Sequence, residues 1–199
     1  MLVIAIIVSE INVSDESNER MLVQALLRGD VPKVKDIVNE KVDLESKNTL
    51  SDPMLHIALR YGYVPRSSNF KVEKSPVERE RIIYDMVSIL LKNGAKINSI
   101  DQHQYTPLVM AVRRENIYKV VELLLENGAE VNLKCKSGDT ALHIAVRLQS
   151  KLETIKLLLV KDANVNIKND TGQTAIDIAK EQGNHEIIEL LSKYKVDIP

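Results

Sequence analysis

The sequence predicts an all-α repeat architecture, an α-solenoid of stacked helix-turn-helix units. Two marker series predict it, and the composition agrees. LKNGAKIN, LENGAEVN and LVKDANVN end at Asn98, Asn132 and Asn166, a constant step of 34 residues. YTPLVMA, DTALHIA and QTAIDIA place Thr106, Thr140 and Thr174 at the same step of 34. Aromatic residues make up only 4%, with no Trp and a single Phe, Phe70. A core limited to Leu, Ile, Val and Ala suits thin layers of small helices better than one large globule.

The period extends in both directions. PMLHIA around Leu55 matches TALHIA, with Pro53 in the Thr column, but Thr106 then lies 53 residues on, so about 19 residues are inserted. Val42-Asp43-Leu44-Glu45 is a worn form of Ala95-Lys96-Ile97-Asn98, and Val196-Asp197-Ile198-Pro199 closes the chain in the same column. The expected organisation is an N-terminal tail at 1–17 and five units: a degenerate one at 18–47, then 48–100, 101–134, 135–168 and a C-terminal cap at 169–199. The all-apolar start, MLVIAIIV, lacks a basic leader and is under half a membrane span. It reads as a strand or tail against the first unit, or as a misassigned start, more readily than as a signal or anchor.

The unit from Asp101 shows why each element forms. Thr106 followed by Pro107 is a helix start, since Thr caps unpaired backbone N–H groups and Pro fits the first turn. Leu108 and Ala111 share one face, and the small Ala111 lets helices approach closely. Arg113, Arg114 and Glu115 end this short helix. Val120, Val121, Leu123, Leu124 and Leu125 form the apolar part of a second helix, which Asn127-Gly128 terminates. Glu130-Val131-Asn132 is expected to be extended and to lead into a polar turn. One such helix pair cannot bury its own apolar face, and stacked neighbours bury each other's. In the last unit Asp177 replaces the His of His56 and His143, and Ser192, Lys193 and Lys195 are polar, as a solvent-facing cap requires.

The second unit breaks after Arg60-Tyr61-Gly62. Residues 63–74, with Pro65, Ser67, Ser68 and Asn69, have loop composition. Ser75-Pro76-Val77-Glu78 then predicts a capped helix from Pro76 to about Asn93, stopped by Gly94. Ile82, Ile83, Met86, Val87, Leu90 and Leu91 are its core face, and Glu78-Arg79-Glu80-Arg81 is a charged extension. The insertion at about 63–81 reads as a tolerated surface loop or as a private contact surface, with Ser75 a possible phosphorylation site.

TALHIA with Gly138, LLLENGAEVN and TAIDIAKEQGNHEIIELL together resemble the ankyrin repeat family, over roughly residues 18–199. Val109 in place of a usual His, Glu115 and Gln149 in place of a usual Gly, and Asp162 in place of the terminal Gly depart from the family pattern. The resemblance implies short β-hairpin fingers, each followed by two antiparallel helices, in a curved stack. It also implies a protein partner that meets the fingers and the first helices.

Several function classes are disfavoured. A net charge of −1 provides no basic field for nucleic acid or anionic membrane. His56, His103, His143 and His185 have no metal-ligand spacing. No phosphate loop, nucleophile elbow or paired acid site is present, so no catalysis, metal or cofactor is expected. Cys135 is the only cysteine, which excludes an intrachain disulfide and points to a reducing compartment. Flanked by Lys134 and Lys136, it reads as an incidental surface thiol or a reactive one.

One constellation remains. Arg60, Arg113 and Arg147 stand two residues after the small Ala of the first helix in three units, with Arg114 alongside and Arg28 near the same column. In a stack this register makes a line of guanidinium groups on the concave face, suited to an acidic segment of a partner. Gln102, His103, Gln104, Tyr105, Lys136, Ser137, Asp139, Asp170, Thr171 and Gln173 complete the expected surface. Tyr105 is its best single anchor. The expected function is a monomeric cytoplasmic adaptor or inhibitor, with nuclear or host-delivered action as variants. The rivals are an interaction module delivered into a host cell by a microbe or virus, an enzyme with an unseen site, and a nucleic-acid regulator.

Overall fold

A computed structural model describes residues 18–40, 42–44, 52–60, 74–114 and 117–194. The chain forms two compact units, Met1–Gln102 and His103–Pro199. Among the described residues the only regular elements are helices. In the first unit these are α1 (Asn18–Arg28), α2 (Val31–Val38), α3 (Met54–Arg60) and α4 (Pro76–Lys92). The second holds α5 (Pro107–Val112), α6 (Tyr118–Glu126), α7 (Ala141–Arg147), α8 (Leu152–Val160), α9 (Ala175–Glu181) and α10 (His185–Lys193).

The helices pack as layers. In the first unit α1 pairs with α2 and α3 with α4, while α1 lies on α3 and α2 on α4. In the second unit the pairs are α5–α6, α7–α8 and α9–α10; α7 lies between α5 and α9, and α8 on α6. First helices therefore stack on first helices and second on second. Ala58, Ala111, Ala145 and Ala179 have no exposed surface, so the small residue of each first helix sits where its neighbours press closest. Leu90, Leu124 and Leu158 are likewise fully enclosed on the second helices.

The expected caps form. Thr106 Oγ1 accepts the Val109 amide at 3.2 Å ahead of Pro107. Ser75 Oγ accepts the Glu78 amide at 3.2 Å, and α4 runs from Pro76 to Lys92, as the insertion's sequence predicts. Asn93 and Asn127 each donate from Nδ2 to the carbonyl four residues back, Ile89 and Leu123, at 2.8 Å, which explains Asn before Gly at these helix ends. The tail at 1–17, the insertion loop at 61–73, Glu115 and the closing residues 195–199 lie outside the described residues.

One expectation is not confirmed and another needs correction. No strand pairing is formed among the described residues, and two of the finger positions close as tight turns. Cys135 N–H donates to the Asp139 carbonyl at 2.8 Å, and Asn169 N–H to the Gln173 carbonyl at 2.9 Å. The chain reverses within five residues and leaves no length for a ladder. Glu130–Leu133 is not extended either: Leu133 N–H closes a turn on the Glu130 carbonyl at 3.3 Å. That turn aims Asn132 at the next layer, where it donates to the Asp162 carbonyl at 3.0 Å and accepts the Asn164 amide at 2.8 Å.

Backbone conformation survives where the family's glycines do not. Gln149 and Asp162 have φ of 52° and 64°, the left-handed region that a Cβ resists. Gly138 has φ +70°, and a Cβ there would lie 2.6 Å from the Asp170 backbone nitrogen. Two substitutions should therefore move stability in opposite directions. Gln149→Gly should raise the melting midpoint, by roughly 0.5–1 kcal/mol after the added unfolded-state entropy is set against relieved strain. Gly138→Ala should lower it, by about 1–2 kcal/mol from φ alone. Thermal melts of the two variants beside the wild type check both signs.

Candidate functional site

The site is built on the turn preceding each first helix and the end of that helix. The residue just before the capping position folds over the residue eight places later. In the first unit Asp52, buried ahead of α3, holds Arg60 at 2.6 Å, and the buried Asp101 lies 3.6 Å from the same guanidinium. In the second unit Asp139 receives both terminal nitrogens of Arg147, the Nη2–Oδ1 separation being 3.2 Å. Tyr105 takes the equivalent place under Arg113, whose guanidinium carbon lies over the ring at 4.7 Å from its centroid. Gln173 Nε2 donates to Glu181 at 2.6 Å. One geometry thus recurs at four positions with three chemistries: carboxylate–guanidinium twice, ring–guanidinium once and amide–carboxylate once.

Asp139 also joins two layers. Asn169 Nδ2 donates to Oδ1 at 2.9 Å and Ser137 Oγ to Oδ2 at 3.0 Å. Burial alone would raise this carboxyl, but Arg147, Asn169 and Ser137 together hold it below the usual carboxylate range. Asp139 is 2% exposed, so it is an internal anchor and not the surface contact expected from sequence. Of the expected line of guanidiniums, Arg60 and Arg147 are ion-paired within the chain and Arg113 is stacked on a ring. Arg60 divides its fork between Asp52 and Asp101, and Arg147 spends both terminal nitrogens on Asp139, the carboxylate one turn reversal upstream.

The other expected residues are distributed as follows. Gln102, His103, Gln104 and Lys136 are exposed at turns, and Arg114 is half-buried. His103 stacks obliquely near Tyr105, with ring centroids 6.3 Å apart. Gln173 is half-buried and also accepts from Thr171 Oγ1 at 3.1 Å. Cys135, expected at the surface, is buried at the base of its turn with Sγ 3.5 Å from Ser137 Oγ.

The motif histidine is a rivet between layers. Nδ1 of His143 accepts the Thr140 amide at 3.2 Å, which leaves the ring proton on Nε2 to donate to the Gln173 carbonyl at 3.1 Å. In the last layer Asp177 accepts the Thr174 amide at 3.0 Å and the Thr174 hydroxyl at 2.6 Å. Asp177 thus caps its own helix as an acceptor, without the second, donating contact that His143 makes. Burial pushes the His143 ring below its ordinary 6.5, outweighing the contact with the Gln173 carbonyl. The Thr174 bonds lower Asp177 in turn. Below about pH 6.5 the unfolded chain takes up a proton at His143 that the folded chain refuses, so stability falls as pH drops toward the folded pKa. An NMR titration of the His143 ring should give a midpoint below 6.5. A midpoint at or above that value would contradict the neutral Nε2–H form.

In the second unit these parts enclose a pocket of about 320 Å³. Tyr105 and Arg113 line one side, Ile144 and Leu148 the apolar part, and Asn169 and Gln173 the turn of the next layer. Leu148, 52% exposed, follows α7 and was missed by sequence reasoning. It falls just after the recurring apolar positions of the repeat, and only the α7 terminus tells that it faces the turns. The pocket unites Tyr105, Arg113, Ser137, Asp139, Arg147, Thr171 and Gln173 from the expected surface; Lys136 and His103 do not line it.

Among the described residues no group of three acidic, His or Cys side chains is arranged for a metal ion. No helix among them is long and apolar enough to cross a membrane. Two family models match the sequence. One, described as ankyrin repeats in three copies, covers residues 120–199, and the other, ankyrin repeats in many copies, covers residues 90–145. No curated protein matches it.

Proposed function

The chain belongs, through residues 90–199, to the ankyrin repeat family, whose members are generally protein–protein interaction modules, and from that premise we propose that it is a non-enzymatic adaptor or inhibitor that holds its partner at the turns and first helices of its second unit. One observation carries the reading. The pocket beside α7 combines an exposed Leu148, a Tyr105 ring and a guanidinium within a frame of internally bonded polar groups. A rigid concavity with an apolar floor and an aromatic–Arg wall has the composition of an interaction hot spot. The frame needs no rearrangement to receive a partner, because Asp139, Asn169 and His143 already fix its geometry. A single, buried cysteine supports a cytoplasmic setting.

Proximity labelling in the producing cell tests this, comparing the wild type with a Tyr105→Ala, Leu148→Asp double variant. The reading expects a protein labelled by the wild type and lost with the variant, while both melt alike. If both label the same set, binding lies elsewhere, and the 63–81 insertion is the next surface to delete. The departures from the family pattern at Val109, Gln149 and Asp162 and the Lys/Ile-rich composition permit one second reading, delivery into a host cell. Recovery of the protein outside its producing cell would separate the two.

A further inference from the structure

We infer that the second unit's pocket recognises an acidic linear segment in which a carboxylate side chain stands beside an aliphatic one. The inference rests on the docking reading above and specifies the partner's chemistry. It starts from a difference between layers. Arg60 and Arg147 each face a buried carboxylate from the turn eight residues upstream. Arg113 faces Tyr105 in that place, and among the described residues no carboxylate lies within ion-pair distance of it. A guanidinium stacked on a ring uses its face and keeps its in-plane N–H donors for another group. Arg113 is exposed and lines the pocket, so its in-plane donors are presented to an occupant.

The other cation of the pocket does not compete for that role. Arg147 is chelated by Asp139, and the pair contributes little net charge. The opposite rim ends on Gln173, whose amide holds Glu181 at 2.6 Å. An acidic group is therefore attracted at the Tyr105–Arg113 side and repelled at the Gln173–Glu181 side, which gives the bound segment a direction. Between these ends lies Leu148, half exposed above the nearly buried Ile144. An aliphatic side chain next to the carboxylate covers Leu148 while the acid reaches Arg113. Desolvation by that contact strengthens the charged hydrogen bonds, which an isolated surface ion pair lacks.

Random linear peptides displayed on phage and selected on the immobilised full chain provide the test. The expected enrichment is Asp or Glu adjacent to Leu, Ile or Val. A synthetic peptide from that set should bind the Arg113→Gln variant roughly 10- to 100-fold more weakly. Replacing the peptide's carboxylate by the amide should cause a similar loss, and Arg113→Lys should restore part of the binding. Leu148→Asp should also weaken it, while Lys156→Gln, exposed on α8 and outside the pocket, leaves it unchanged; circular dichroism melts confirm that each variant is folded. Selected peptides without an acid, or acidic peptides indifferent to Arg113→Gln, would overturn the inference. Acid-free peptides that are nonetheless lost on Leu148→Asp would do so while leaving the docking reading standing. Peptides indifferent to both variants, or no enrichment at all, would overturn both.

Discussion

Leu158→Ala should cost about 2–5 kcal/mol and lower the melting midpoint by several degrees. Leu158 lies in the C-terminal half of α8 with no exposed surface, and α8 packs on α7 of its own layer and on α6 of the preceding one. Removing three carbons there loses burial and leaves a cavity that stacked helices close only by shifting a whole layer. Leu124 holds the same place one period earlier and should behave alike. Leu123 and Leu157, 8% and 9% exposed, are core residues too, as the sequence leads one to expect, but they lie closer to the edge and should cost less. A Leu158→Ala variant that melts with the wild type would mean that α8 is packed in another register.

The second large effect is expected at Asp139. Asp139→Ala removes the acceptor of Arg147, Asn169 and Ser137 at once. Asn169 is 7% exposed, and its amide would be left without that partner between layers. A loss of about 1–3 kcal/mol follows from the unsatisfied buried group, with Arg147 contributing less because it reaches solvent. Asn169→Ala should cost less once Asp139 is gone, although Asn169 Oδ1 still accepts the Thr171 and Gln173 amides, so a double-mutant cycle in chemical denaturation should show coupling from the shared bond. Additive losses would show that the carboxylate does not tie the two turns together. Acid should reveal the same carboxylate. Its folded pKa lies below that of the unfolded chain, so the stability it contributes is present above about pH 4 and lost as pH falls through the folded value.

How far the sequence could be read depended on the range of each interaction. Helix caps and stops involve residues three or four apart, so Ser75, Pro76 and Gly94 were enough to place α4. The stacking period was legible because Ala111, Ala145 and Leu124, Leu158 recur in step, and layered burial demands that recurrence. The internal pairing of Asp139 with Arg147 was not. Asp139 lies in a turn and Arg147 ends a helix, so no single periodicity relates them, and the two meet only because the turn folds the chain back over α7. The shared spacing of Asp52 from Arg60 was the available signal. Fingers were expected from the family resemblance, whereas the turns about Gly138 and Gly172 close within five residues. Leu148 carried no signal of its own, since an apolar residue after a helix is ordinary until its neighbours are known.

The central claim is that a protein partner sits in the pocket beside α7. Site-specific photocrosslinking in the producing cell addresses it most directly. A photoreactive residue is placed in turn at Leu148, at the pocket, and at Val160, the end of the second helix of the same layer. Both positions are solvent-exposed, at 52% and 66%, so each tolerates the substitution and each reports its surroundings. The account predicts a discrete protein adduct from position 148 that Arg113→Glu diminishes, and none from position 160. An adduct from position 160 with none from position 148 would contradict it.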